Sequence, residues 1–357
     1  MLEALWWRGV RNLAEQTLEP GPGLNRLVGA NGAGKTSVLE ACHILAAGRS
    51  FRTRQLRRVV SAGGDELWVG GRVRDPSGGE HRLGVVWDGN RRSRVDGRWV
   101  EGHAAVAEWL PARVLHAGSF ELLTGGPEER RRLLDWGCFH AFAGYRQDWQ
   151  RWRRAHEQRN AALRRGDQRG AQGFERPLIE AGEAVSGARH RYVEQWQAET
   201  AQAAADFGFD VRLADLAIRL RQGWDRDRPL GEALDRSRSS DQERGFGQVG
   251  PQRADIELRL DGRAASEASR GEQKRLVTAL VGGQGRMLQA MAGRGPVLLL
   301  DDVVSELDAE AVAGLMHGLQ RLQWQILLTS VEAAMPGMEP DAAARMFHVK
   351  HGRITPA

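Results

Sequence analysis

The stretch Leu24–Gly48, LNRLVGANGAGKTSVLEACHILAAG, decides the fold. Its centre, Gly29-Ala30-Asn31-Gly32-Ala33-Gly34-Lys35-Thr36, fits the phosphate-loop pattern GxxxxGK[ST]. The flanks supply the context that pattern needs. LNRLV reads as a short buried strand and KTSVLEACHILAA as a helix. In such a loop the glycines let backbone N–H groups wrap a β-phosphate, and the helix N-terminus adds its dipole. Lys35 is expected to place a point charge on the β- and γ-oxygens, and the Thr36 hydroxyl to ligate Mg²⁺. Gly29 through Ser37 is therefore the expected nucleotide cradle. The loop specifies a nucleotide and leaves the reaction open.

A second motif lies near the other end, GPVLLLDDVVSELD. Val297–Leu300 is a continuous apolar run, as expected for a parallel strand covered on both faces. It delivers Asp301 and Asp302 to its C-terminal end, where open α/β sheets place ligands. Asp301 is expected to hold Mg²⁺ through water, and Asp302 to orient or deprotonate an attacking water. Acids also close buried strands for purely structural reasons. Two together, followed by Ser305, Leu307 and Asp308, favour a metal and water site.

A third motif, ASRGEQKRL, sets Ser269 as an N-cap ahead of a helix beginning near Glu272. Alone it is an ordinary helix start. It stands 32 residues before Asp301, however, and that order is the arrangement of the ATP-binding-cassette class. There the turn reaches across a dimer to the γ-phosphate held by the partner, so Ser269 is expected to act in trans. Lys35 and Asp301 are 266 residues apart. The site must be assembled from both chain ends around a large insertion.

The 357 residues suggest two to three domains. Apolar content of 41% and charge of 27% fit a globular protein. No apolar run is long enough to span a bilayer, and the N-terminal residues lack a signal-peptide layout. Cys42 and Cys138 have no metal-ligand spacing and are expected as buried apolar residues. Together these point to a reducing cytoplasm. The net charge of +5 comes from one segment. Arg130–Arg169 holds eleven arginines against Asp135, Asp148, Glu157 and Asp167, an excess of seven, so the remainder carries −2. Such a field attracts polyanions, nucleic acid above all.

From about Phe120 the pattern turns helical, with Trp136, Phe139, Phe142, Tyr145, Trp149 and Trp152 at steps of three or four. RRGDQRGAQGFERP breaks it, and Leu178, Val185, Tyr192, Trp196 and Ala203 resume it. Two stripes joined by a glycine-rich turn make an antiparallel helix pair. The aromatics could stack on bases; the seam between the two helices is the favoured place for them. Asp235–Gly250 reads as a polar exit loop, and strands return from ADIELRL onward. The fold class is thus α/β. A phosphate-loop head is built from 1–120 and 246–357, and a helical arm from 121–245.

These segments resemble the RecF family of bacterial recombination and repair proteins along essentially the whole chain. RGVRNL, VGANGAGKTSVLEA, GRSFRT, GGPEERRRLLDWGCFH, GPQRADIELRL, SRGEQK, LLLDDVVSELD and MFHVKHGRI carry the likeness. LLDWGCFH and the terminal segment are the specific ones. The resemblance implies a cassette-type ATPase head, like that of structural-maintenance-of-chromosomes ATPases, with ATP sandwiched between two heads. The ATP-dependent homodimer would hold double-stranded DNA near a single-strand gap. With RecO and RecR it would help load RecA, and slow hydrolysis would release it. Arg11 falls in the RN pair that lies near the nucleotide in relatives. The sequence departs from the family at Ala268, at Gln252, at LHAGSFELL, and at Glu272, whose charge would repel a γ-phosphate unless it turns away. Ser330 stands where transporter cassettes carry a histidine. A non-hydrolysing module that keeps ATP as a structural ligand is the alternative, motivated by Asp302 and Glu272. A membrane-transporter motor is disfavoured by the split head and basic insertion, and a nuclease by the lack of a second carboxylate cluster.

Overall fold

The computed structural model describes residues 1–209, 215–332 and 344–357. The chain divides into two compact units. Met1–Phe120, Gln202–Val211 and Ser269–Ala357 form the first; Glu121–Ala201 and Arg212–Ala268 form the second. The inserted unit thus takes in residues 246–268, which the sequence pattern assigns to the head.

The first unit contains a six-stranded sheet. Its order is Arg353–Pro356, Arg345–Lys350, Leu24–Val28, Ile326–Ser330, Val297–Leu300 and Ala112–Leu115. All neighbours are parallel except the terminal hairpin. Both chain ends are stitched together here: Leu24–Val28 pairs with Ile326–Ser330 on one side and Arg345–Lys350 on the other. Every residue of Val297–Leu300 and of Ile326–Ser330 is buried, as a strand covered on both faces requires.

A second sheet, wholly antiparallel, has no counterpart in the sequence-based expectation. Its order is Gln16–Leu18, Leu2–Arg8, Leu67–Arg74, Glu80–Trp87, Arg91–Val95 and Arg98–Val100. Its inner face (Leu2, Leu5, Trp7, Leu67, Val69, Val73, Leu83, Val85) shares one core with the helix Lys35–Ala47 and with the parallel sheet. Sandwiched this way, the helix is buried all round: Val38, Leu39, Ala41, Cys42, Ile44 and Leu45 are fully buried, and so is Glu40. Among the described residues, no helix is long and apolar enough to cross a membrane.

The second unit contains the expected antiparallel pair, Tyr145–Arg164 against the helix Glu175–Asp206 as far as Ala201. Arg159 meets Glu175 at 3.5 Å, and a Cβ on Gly182 would meet Trp152 at 3.2 Å. Tyr145, Trp152, Tyr192 and Trp196 are buried, so the inner part of the aromatic stripe is the helix seam. Two elements depart from the expectation. The supposed exit loop is largely a further helix, Leu230–Arg244, which buries Leu230, Ala233 and Leu234 at steps of one to three and ends on left-handed Gly245. Its polar run misleads because Asp241, fully buried, holds the buried Arg159 guanidinium at 2.9 Å. The strand Asp255–Leu260 belongs to this unit too, in a three-stranded sheet with Ala217–Arg221 and Arg263–Ala264.

Candidate nucleotide site

The phosphate loop leaves the strand Leu24–Val28 and enters the helix at Lys35. Gly34 makes the turn at φ 116°, and an added Cβ there would meet Leu13 at 3.0 Å, so only glycine fits. Lys35 is 5% exposed, and its Nζ donates to the carbonyls of Gly29 at 2.7 Å and Ala30 at 3.1 Å. Among the described residues, the backbone N–H groups of Gly32, Gly34, Lys35 and Thr36 find no protein acceptor. Four free donors on one loop and an ammonium at a helix N-terminus are the donor set that an anion such as phosphate fits.

The acidic strand brings Asp301 onto this loop. Thr36 Oγ1 donates to Asp301 Oδ1 at 2.8 Å. Thr329, on the strand lying between the loop strand and the acidic strand, donates to the same oxygen at 3.0 Å. Burial raises the Asp301 pKa above the ordinary carboxylate value, and the Thr36 and Thr329 hydroxyls work against that rise. Thr329 also accepts the Asp302 backbone N–H at 2.9 Å. Asp302 sits at φ 50°, a left-handed conformation that aspartate tolerates better than most residues. Thr329 is absent from the residues expected at the site; a polar Thr-Ser pair closing the apolar run ILL was the available signal.

The remaining expected residues fall into two groups. Asn12 joins the loop: its Nδ2 donates to Gly32 O at 3.1 Å, and it accepts from Ser37 Oγ at 3.3 Å. Arg11 points instead at the buried Glu40 of the loop helix, through Nε at 2.8 Å and Nη2 at 2.9 Å, and its Nη1 reaches Arg58 O at 2.6 Å. Ser50, from GRSFRT, donates to the same Glu40. Ser330 Oγ turns to Glu332 O at 2.8 Å.

Ser269 is exposed and caps the helix Arg270–Ala292. Its Oγ accepts the Glu272 N–H at 3.3 Å, and Glu272 Oε2 accepts the Ser269 N–H at 2.9 Å. This capping box directs the Glu272 charge onto its own helix end. Lys274 pairs with Glu306 at 2.8 Å and Arg275 with Asp308 at 2.7 Å, tying the first turns of this helix to the loop after the acidic strand. The Ala311 N–H, then Arg275, hold the Asp308 carboxyl below its ordinary value.

Part of the basic segment is neutralised locally. Arg130, Arg132, Arg151, Arg153 and Arg159 are ion-paired. Arg154, Arg164, Arg165 and Arg169 are exposed and form no ion pair among the described residues.

Fold and loop together define a phosphate-loop head of the kind described as the RecF/RecN/SMC N terminal domain, whose family profile matches residues 1–355. The chain is 41% identical to the DNA replication and repair protein RecF of Chromohalobacter salexigens, over 99% of both chains. It is 38% identical to the RecF of Thioalkalivibrio sulfidiphilus, again over 99% of each. Among solved structures it superposes on a recombination mediator protein RecF–ATP of the RecFOR pathway with a TM-score of 0.88. That match has 24% identity and covers 100% of this chain and 97% of the other. The chain belongs to the RecF family of DNA replication and repair proteins.

Proposed function

We propose that the chain is an ATP-gated DNA-binding protein of recombinational repair, with weak, DNA-stimulated ATPase activity. The observation that carries this reading is the meeting of Thr36 and Asp301 beside four unpaired loop N–H groups. Gly29 to Ser37 would hold the triphosphate and Lys35 its β- and γ-oxygens. Thr36 and Asp301 would hold Mg²⁺, which when bound neutralises charge developing on the phosphates. Asp302, whose carboxylate has no hydrogen-bond partner among the described residues, would orient the attacking water. Arg11 would act through Glu40, setting the loop helix against the strand end.

Ser269 would meet the γ-phosphate of a second copy. Two triphosphates then act as glue between heads, so ATP controls dimerisation and, through it, the grip on double-stranded DNA near gaps. The RecFOR pathway named for the solved relative supports partners RecR and RecO; loading of RecA downstream is part of the same proposal. The test is DNA retention across a salt series, with and without ATP, on gapped and fully paired duplex. Wild type should gain retention with ATP. Lys35→Ala should lose that gain and keep weak, salt-sensitive binding. Equal retention by the two proteins removes ATP from the mechanism.

One observation favours a second reading, the non-hydrolysing module. Asp302 reaches about 1.5 Å less far than a glutamate in the same place. If phosphate release by Asp302→Asn equals that of wild type in the presence of DNA, that reading replaces the first.

A further inference from the structure

The outer face of the antiparallel sheet is unlike an ordinary solvated face. The cross-strand register puts Trp6 opposite Gly70, Gly70 opposite Gly84, Gly84 opposite Arg94 and Arg94 opposite Trp99. The two glycines leave room for side chains to lie flat. A Cβ on Gly70 would fall 2.2 Å from the Trp6 indole nitrogen, and one on Gly84 would fall 2.8 Å from Arg94 Nε. The next row sets Arg8, Trp68, Val86 and Arg92 side by side. The Arg8 and Arg94 guanidiniums lie 5.5 and 5.6 Å from the Trp68 ring centroid, and Arg92 lies 4.8 Å from that of Trp99. The face is a layer of alternating indoles and guanidiniums, with Trp99 on the edge strand at 52% exposure.

Its charge is unbalanced as well. Arg8, Arg72, Arg74, Arg82, Arg92 and Arg94 stand against Glu3, Glu66, Glu80, Asp88 and Asp96, the last directly opposite Arg82. Arg72 and Arg82 are directly opposite each other, a like-charge pairing that costs stability in isolation. Arg82 and Arg94 form no ion pair among the described residues. An exposed indole already stacked by one guanidinium, beside arginines that form no ion pair, suits a ligand with flat π-faces joined by anionic links. That is the chemistry of unpaired nucleotides. In a duplex the bases are stacked on each other and their faces are hidden.

We infer that this face is a single-stranded DNA contact: Trp99, backed by the Asp88-paired Arg92, stacks one unpaired base, while Arg82 and Arg94 hold the adjoining phosphates. The inference rests on reading the chain as a DNA-binding protein and is independent of the ATP clamp. It gives the protein a means of sensing the gap as well as the duplex beside it.

The experiment measures affinity of the full chain for an oligo-dT strand and for a blunt duplex of equal length, by fluorescence anisotropy at fixed salt. Trp99→Ala should weaken oligo-dT binding about tenfold, within the range of removing one base–aromatic stack, and duplex binding by less than about twofold. Trp99→Phe should restore most of the loss. Arg94→Gln should weaken oligo-dT binding and flatten its salt dependence. Unchanged oligo-dT affinity in Trp99→Ala, equal losses on both DNAs, or no oligo-dT binding by wild type overturns the inference. Lys35→Ala in the same series reports the clamp separately, because its defect appears only as a missing response to ATP. Thermal melting of each variant confirms that exposed Trp99 can be replaced without unfolding.

Discussion

Thr36 and Asp301 are 265 residues apart in the chain, yet Thr36 Oγ1 donates to Asp301 Oδ1 at 2.8 Å. The hydrogen bond closes one site from the two ends of the sequence. Thr36→Val keeps the shape and removes the hydroxyl. ATP affinity in Mg²⁺ should fall about tenfold or more, the usual consequence of losing a group that supports a metal. The difference should shrink when Mg²⁺ is withheld. Equal affinities for the two proteins in Mg²⁺, read by titration with a fluorescent ATP, would remove Thr36 from the metal site.

The trans role of Ser269 has a counting test. Lys35→Ala and Ser269→Ala should each be inactive in ATP hydrolysis when assayed alone. Mixed in equal amounts, the two can form hybrid dimers, each with one of its two sites having both groups intact. Activity should therefore rise clearly above that of either variant alone, to no more than about half of wild type for a closed two-fold assembly. A mixture as inactive as its components places Ser269 in the same site as its own Lys35, or in none. Ser269→Ala also loses a helix cap, costing about 1 kcal/mol, which a melting curve would separate from the catalytic effect.

Arg11 and Glu40 make a structural prediction. Glu40 is fully buried and balanced mainly by the two-pronged Arg11 interaction. Arg11→Met should cost about 2–3 kcal/mol in urea unfolding, less than a fully stranded charge because Ser50 and Arg52 remain near the carboxylate. Adding Glu40→Gln should recover part of the loss. If Arg11→Met melts like wild type but binds ATP poorly, Arg11 contacts the nucleotide directly.

What was legible followed from locality. The phosphate loop, the Val297–Asp302 strand end and the Ser269 cap are each contained in a dozen residues, and each stands where its pattern placed it. Thr329 was not legible, because its role depends on which strand lies between two others, a long-range fact of sheet order. The antiparallel sheet is hidden for another reason. Its strands alternate, but Gly71 interrupts the inner apolar positions, Gly70 and Gly84 interrupt the outer ones, and tryptophans occupy both faces. The helix Leu230–Arg244 is masked by an arginine–aspartate pair buried with it. The excess of arginines in 130–169 is real as composition and misleading as a surface, since five of the eleven are ion-paired within the unit.

Arg164, Arg165 and Arg169 are exposed, close in sequence and without ion pairs among the described residues, which makes them the place to test duplex binding. Changing all three to Gln should weaken duplex binding and reduce its log–log salt slope by about 2–3, near 0.9 for each phosphate no longer neutralised. The same change at Arg130, Arg132 and Arg153 should leave the slope nearly intact. Indistinguishable slopes for the two triple variants would assign the duplex to another surface.

A nucleotide bridging Lys35 of one copy and Ser269 of another is the joint on which the proposed clamp depends. Sedimentation equilibrium at matched salt, with and without ATP and Mg²⁺, tests it most directly. The expected result is a monomer without nucleotide and a dimer with it, the shift being absent in Lys35→Ala. A wild-type protein that stays monomeric with saturating ATP, at concentrations well above those in the cell, contradicts the account.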